Sequence, residues 1–76
     1  MSLDKFIADF EGAVEDVVSG SLSAETPFKA LKSWDSLAIL TVTDEIELEY
    51  GVLLNKQSFE SVCTIEDLYQ LVCNKR

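Results

Sequence analysis

The chain has 76 residues, which is enough for one small domain and too few for a second hydrophobic core. Its hydrophobic fraction of 47% is typical of a folded protein, and its net charge of −8 disfavours nucleic acid and anionic membranes as partners. The chain contains no histidine, so we expect neither an enzyme nor a metal site.

The first predicted element is an amphipathic helix that begins after Ser2, its expected N-cap, and ends near Gly20. Apolar residues recur every three or four positions from Leu3 to Val17, which predicts a buried face. The opposite face is acidic and is expected to be exposed, with Asp4, Asp9, Glu11, Glu15 and Asp16. The first ten residues lack the basic start of a signal peptide, so we expect a cytoplasmic protein.

A long loop is predicted over residues 19–34, where serine, glycine, threonine and proline are frequent. Pro27 can open a short helical turn that extends to Leu31. We expect Phe28 to anchor the core and Trp34 to pack beneath the loop, with a partner contact by Trp34 as the alternative.

The second helix is predicted from Ser36 to Tyr50, with Asp35 as its N-cap and Gly51 at its end. At about 100° per residue it has two apolar arcs instead of one. The core arc contains Ile39, Val42, Ile46 and Tyr50. The second arc contains Leu37, Leu40 and Leu48, with Asp44 among them. Either this arc is exposed, or Leu40 and Leu48 pack against the loop or the third helix.

Two further helices complete the predicted fold. A short helix covers Ser58 to Val62 after an Asn55 cap, and a last helix opens at a capping-box pattern, Thr64-Ile65-Glu66-Asp67, and runs to about Cys73. Its inward residues are predicted to be Ile65, Leu68, Leu71 and Val72. No segment alternates at period two, so the predicted fold is all-α. It is a single domain over residues 1–76, a small three- to four-helix bundle with a long loop between helices 1 and 2.

The two cysteines, Cys63 and Cys73, lie in a segment that is predicted to be mostly helical. Ten helical steps span about 15 Å, and bridged Cα atoms must lie within about 7 Å of each other. We therefore expect two free thiols, at least one of them buried.

One polar residue stands out by its position, because Ser36 opens a helix directly after the long loop. A helix N-terminus favours anions, so a serine there suits a hydroxyl that will carry a phosphate group. Taken alone, a serine at this position is more often a helix cap.

The segment Trp34-Asp35-Ser36-Leu37 at the start of an acidic helix resembles the acyl and peptidyl carrier proteins. The resemblance covers nearly the whole chain. Three further segments fit the family in order and spacing: Thr26-Pro27-Phe28, Tyr50-Gly51-Val52 and Thr64-Ile65-Glu66-Asp67-Leu68-Tyr69.

This resemblance implies an acyl carrier protein in which Ser36 bears a 4′-phosphopantetheine arm. A phosphopantetheinyl transferase would donate the arm from coenzyme A. The arm's thiol would hold acyl or aminoacyl intermediates as thioesters in fatty acid, polyketide or nonribosomal peptide biosynthesis. Asp35 would cap the helix and help the transferase and its divalent cation to address Ser36.

The resemblance also implies a docking surface for enzymes with basic patches, such as an acyl-activating ligase or a ketosynthase. Its residues would be Leu37, Leu40, Asp44, Glu47 and Leu48. Thr41, Thr43 and Asp44 depart from the residues usual in fatty-acid carriers, so a monomeric carrier of a specialised pathway fits as well or better. The alternative is an acidic helical module that binds proteins without being modified.

Overall fold

A computed structural model of the protein describes residues 2–14, 17–18 and 20–75. This part of the chain is all-helical and has no strand, which confirms the predicted small helical bundle. It contains a single-turn 3₁₀ helix, Phe28–Ala30, and four α-helices: α1 Leu3–Ala13, α2 Ser36–Tyr50, α3 Lys56–Glu60 and α4 Ile65–Lys75. None of these helices has the length and apolar character needed to span a membrane.

The core collects one apolar face from each α-helix together with side chains of the connecting segments. The inner face of α4 is fully buried through Ile65, Leu68 and Val72, while the predicted Leu71 is only partly buried beside the core. The other fully or nearly fully buried apolar residues are Phe6, Phe10, Val14, Phe28, Ala38, Val42, Ile46, Val52, Leu54, Phe59 and Val62.

The long loop contributes aromatic rings to this core. Phe28 is fully buried, which confirms it as an anchor, and its ring centroid lies 4.9 Å from that of Trp34. Trp34 also stacks on Phe10 of α1 and contacts Phe59 of α3. Since offset and edge-to-face ring pairs are favourable at these distances, Trp34 packs beneath the loop as a structural residue.

The first helix is shorter than predicted. Ser2 is its N-cap, as expected, but α1 ends at Ala13 and the next residue, Val14, has an extended backbone. The predicted exposure of Glu11 is also wrong, because this residue is only 6% exposed. Predictions for Glu15 and Asp16 concern residues outside those that the structure describes.

The buried carboxylate explains where the helix ends. Glu11 accepts hydrogen bonds from the backbone N–H groups of Gly20, at 3.0 and 3.1 Å, and of Leu22, at 2.9 Å. The backbone of Gly20 has a positive φ of 86°, a conformation that glycine adopts readily. Gly20 and Leu22 are therefore held against the end of α1 by the Glu11 carboxylate.

The loop is also tied to the other end of the bundle. The first two N–H groups of α4, from Ile65 and Glu66, donate to the loop carbonyls of Thr26 and Ala24 at 3.2 and 2.9 Å. The Lys29 ammonium donates to the carbonyl of Phe59 in α3. These bonds hold the loop against α3 and α4.

The predicted caps of the last two helices are present, but their predicted bounds differ from the observed ones. Asn55 caps α3, which begins at Lys56 and ends at Glu60, so each of its ends lies two residues before the predicted end, Ser58 or Val62. At α4, the Asp67 N–H donates to the Thr64 hydroxyl, and the Asp67 carboxylate accepts from the Thr64 N–H. The helix extends to Lys75, beyond the predicted end at Cys73.

Both cysteines are free thiols in the structure. Cys63 is exposed and Cys73 is only partly buried, so the expectation that at least one is buried in the core is wrong. The core positions around them are taken by larger apolar side chains, such as Val62 and Val72.

Candidate functional site

The second helix has the predicted bounds, and Ser36 is its first residue. The Asp35 carboxylate accepts a hydrogen bond from the Ala38 N–H at 2.9 Å, so Asp35, and not Ser36, is the N-cap. Ser36 is exposed, and its hydroxyl makes no hydrogen bond to the described residues. Ser36 therefore does not cap α2, and its hydroxyl is accessible from solvent.

Two backbone donors beside this hydroxyl are open. The N–H groups of Ser36 and Leu37 have no partner among the described residues, since the first helical bond is donated by Ile39 to Asp35. The positive end of the helix dipole coincides with these groups. A primary alcohol in this setting suits a group that acquires a phosphate ester, because the added anion would meet free donors.

The second apolar arc is exposed. Leu37, Leu40 and Leu48 are 61%, 58% and 79% accessible to solvent, so the alternative in which Leu40 and Leu48 pack against the loop or the third helix is wrong. The loop is tied to α1, α3 and α4 by the hydrogen bonds described above, and those bonds keep it off this side of α2. Three leucines on one side of a helix therefore present apolar side chains to solvent.

Acidic side chains accompany these leucines. Asp44 and Glu47 are exposed and form no ion pair within the described residues. We call the set of Leu37, Leu40, Asp44, Glu47 and Leu48 the outer face of α2. It combines apolar contact area with unpaired negative charge, which suits a basic protein surface with an apolar pocket.

The far end of α2 has a different role. Glu49 lies 3.4 Å from the ammonium of Lys5, which also pairs with Asp9 at 2.8 Å, and the Tyr50 hydroxyl donates to Asp9 at 2.7 Å. Burial raises the pKa of Asp9, but the hydrogen bonds from Lys5 and Tyr50 outweigh it and hold that pKa below its usual value. Burial and the bond to Asp9 raise the pKa of Tyr50. This network joins α2 to α1 away from Ser36.

A cleft of about 510 Å³ flanks the serine on the side of α1. Asp35 and Leu37, the two chain neighbours of Ser36, both line it. The other lining residues come from the end of α1, the loop and the first turns of α2: Gly12, Ala13, Lys32, Ser33, Ala38 and Thr41.

Sequence reasoning identified the serine but missed this cleft. One signal was present, because Gly12 interrupts an otherwise regular amphipathic helix. A glycine inside a helix costs about 1 kcal/mol relative to alanine, so it usually has a packing or functional reason. A Cβ at Gly12 would meet no atom within 4 Å, which places open space beside this residue.

Comparison of the chain with models of protein families, with curated proteins and with solved structures finds no match. A functional interpretation therefore depends on the residues of the site and on the order of the sequence motifs. The accessible hydroxyl, the open helix N-terminus and the exposed acidic and apolar face all lie on one helix.

Proposed function

We propose that the protein is an acyl carrier protein in which Ser36 bears a 4′-phosphopantetheine arm. The observation that carries this proposal is the unpartnered Ser36 hydroxyl, exposed at the first position of α2 beside two open N–H groups. The order of the motifs around Trp34-Asp35-Ser36-Leu37 supports the same family.

The residues present fit this prosthetic group. The phosphodiester would adjoin the free N–H groups of Ser36 and Leu37, where the dipole favours an anion by about 0.3–1 kcal/mol. The cleft lined by Asp35, Leu37 and Gly12 leaves room beside the serine. When bound, the arm supplies the thiol on which acyl or aminoacyl groups are held as thioesters.

Attachment uses one atom of this chain. The Ser36 Oγ forms a bond to the pantetheine-bearing phosphorus of coenzyme A, the pyrophosphate bond breaks, and adenosine 3′,5′-bisphosphate leaves. The hydroxyl proton passes to a base of the transferase, because this chain has no histidine and no described base contacts the Ser36 hydroxyl. The protein is then a carrier and not the catalyst.

Asp35 has two compatible roles in this proposal. Its carboxylate holds the first turn of α2 by capping Ala38. Because the residue is exposed, the same carboxylate is open to the transferase and its divalent cation. Binding the phosphodiester is not one of its roles, since the two negative charges repel each other.

The outer face of α2 is the proposed docking surface for the enzymes that load and unload the carrier. These are the phosphopantetheinyl transferase and an acyl-activating ligase, a ketosynthase or other biosynthetic enzymes with basic patches. Its leucines offer apolar contact, and Asp44 and Glu47 offer unpaired charge that speeds encounter with a basic surface. A monomer in the cytoplasm suits this shuttling role.

One observation also favours a second function. The outer face of α2 is exposed whether or not Ser36 is modified, so the protein could bind basic partners as an unmodified interaction module. The two functions differ in what they require of the Ser36 hydroxyl.

Intact-mass analysis separates them. The purified apo protein is incubated with coenzyme A, magnesium and a broad-specificity phosphopantetheinyl transferase, and we expect a mass increase of one phosphopantetheine. Ser36→Ala should abolish the increase, whereas Ser21→Ala, at an exposed loop serine, should retain it. A folded protein that gains no mass would refute the carrier function and favour the unmodified module.

A further inference from the structure

The cleft beside Ser36 is large enough to hold part of a small molecule. Its volume of about 510 Å³ lies within the range of pockets that bind small molecules. A group attached to Ser36 starts at its edge, because Asp35 and Leu37 line it on either side of the serine. A second cleft, of about 390 Å³, is lined by α1, Gly20 and residues 22–24, and by no residue of α2.

The lining of the first cleft mixes polar and apolar groups. Ala13, Leu37 and Ala38 supply apolar contacts, and Ser33 and Thr41 supply hydroxyl groups. Thr41 donates its hydroxyl hydrogen to the Leu37 carbonyl, which leaves the oxygen free to accept a hydrogen bond. A chain of amides and short methylene segments matches this alternation better than a long alkyl chain does.

The cleft also contains a cation. Lys32 lines it and forms no ion pair with the described residues. Two other lysines are engaged elsewhere, since Lys5 pairs with Asp9 and Lys29 donates to the Phe59 carbonyl. Lys32 therefore offers a charge that can neutralise a phosphodiester at the mouth of the cleft.

Gly12 lines the cleft on the side of α1. Its missing side chain would project into empty space, so packing within the protein does not require a glycine there. Gly12 lies within α1 and has an ordinary helical backbone, which any residue with good helix propensity could adopt. Glycine therefore destabilises the helix here without meeting a backbone requirement.

We infer that this cleft is the resting site of the amide-containing part of the phosphopantetheine arm, with Lys32 as the cation for its phosphodiester. This inference rests on the proposed modification of Ser36. It places the arm on the α1 side of α2 and leaves most of the outer face free, with Leu37 at the border between the two surfaces. A partner can then dock on the leucines before the arm leaves the cleft.

The test compares backbone amide chemical shifts of the apo and fully loaded proteins, with loading verified by mass. We expect loading to shift the amides of Gly12, Ser33 and Thr41 as well as those next to Ser36. Gly12→Leu fills the cleft and should abolish the shifts at Ser33 and Thr41. Ala8→Leu adds the same bulk to the same helix beside the second cleft, and it should leave those shifts intact.

Lys32→Gln provides an independent variant should leucine at position 12 disturb the fold. It removes the charge and should reduce the shifts at Ser33 and Thr41 without affecting the mass increase. Two outcomes would overturn the inference and leave the carrier function intact. In the first, loading shifts only the amides within two positions of Ser36. In the second, the shifts at Ser33 and Thr41 persist in both cleft variants. Failure of the unaltered protein to gain mass would overturn both.

Discussion

The N-termini of α2 and α4 are capped in similar ways but lie in different environments. Each follows a side-chain cap, Asp35 for α2 and Thr64 for α4. At α4 the next two N–H groups bond to loop carbonyls, and the inner face is fully buried. At α2 the corresponding N–H groups are open, and three leucines face solvent. The difference shows that a capped helix start stays accessible to a ligand or partner only where the rest of the fold leaves it uncovered.

The largest expected effect comes from truncating a leucine on each helix. Leu68→Ala, in the buried face of α4, should lower the free energy of unfolding by about 2–5 kcal/mol through lost burial and a residual cavity. Leu40→Ala, on the outer face of α2, should change it by less than about 0.5 kcal/mol, because that side chain is already exposed. Urea denaturation measures both changes in the free energy of unfolding. Equal changes would show that Leu40 packs within the protein, and they would contradict the proposed use of the outer face by partners.

The anchoring of the loop gives the next largest effect. Glu11→Ala removes the acceptor of three N–H contacts from Gly20 and Leu22, and it should cost about 1–3 kcal/mol. Since the same loop covers the start of α4, hydrogen exchange should accelerate at Gly20 and Leu22 and, to a lesser extent, at Glu66. Asp4→Ala, at an exposed acid of the same helix, is the matched control and should leave these rates unchanged.

Local signals explain why both ends of α2 could be predicted and the C-terminal end of α1 could not. Both bounds of α2 depend on neighbours in sequence, the Asp35 cap and Gly51, whose backbone is left-handed with φ of 69°. The end of α1 depends on a contact between Glu11 and residues nine and eleven positions later. A helical pattern places the Glu11 carboxylate on the polar face and gives no indication that a later segment of the chain will bury it.

The features of the site also divide into those set by neighbours in sequence and those set by contacts between distant segments. Ser36 was identified from its position at a helix start and from the surrounding motif, and the two apolar arcs follow from helical periodicity. The exposure of Leu40 and Leu48, in contrast, depends on the tertiary packing around α2. The cleft gathers Gly12 and Lys32 from segments that are distant in sequence, so helical spacing alone could not join them. The burial of Ala38 was missed for a related reason, because its small side chain adds little to an apolar pattern.

The capping role of Asp35 can be separated from its proposed role towards the transferase by one substitution. Asparagine caps helices about as well as aspartate, so Asp35→Asn should leave the stability of α2 nearly unchanged. Loss of the charge should nevertheless slow phosphopantetheine loading on the order of tenfold, as for other residues that orient a catalytic metal. Thr64→Ser is the matched conservative change at the α4 cap and should affect neither property. A normal loading rate in Asp35→Asn would leave Asp35 with its capping role alone.

The smallest expected effect concerns the anchored end of α2. Tyr50→Phe removes the hydrogen bond to Asp9 and should cost about 0.5–1.5 kcal/mol at neutral pH. Because the pKa of Asp9 is lowered in the folded protein, its contribution to stability is present above its unfolded-state pKa and is lost as pH falls through its folded-state pKa. The difference between Tyr50→Phe and the parent, measured by urea denaturation across this range, should therefore shrink in acid. The loading of Ser36 should not change, since this end of α2 is held to α1 while the other end is open; slower loading would show that the two ends are coupled through the helix.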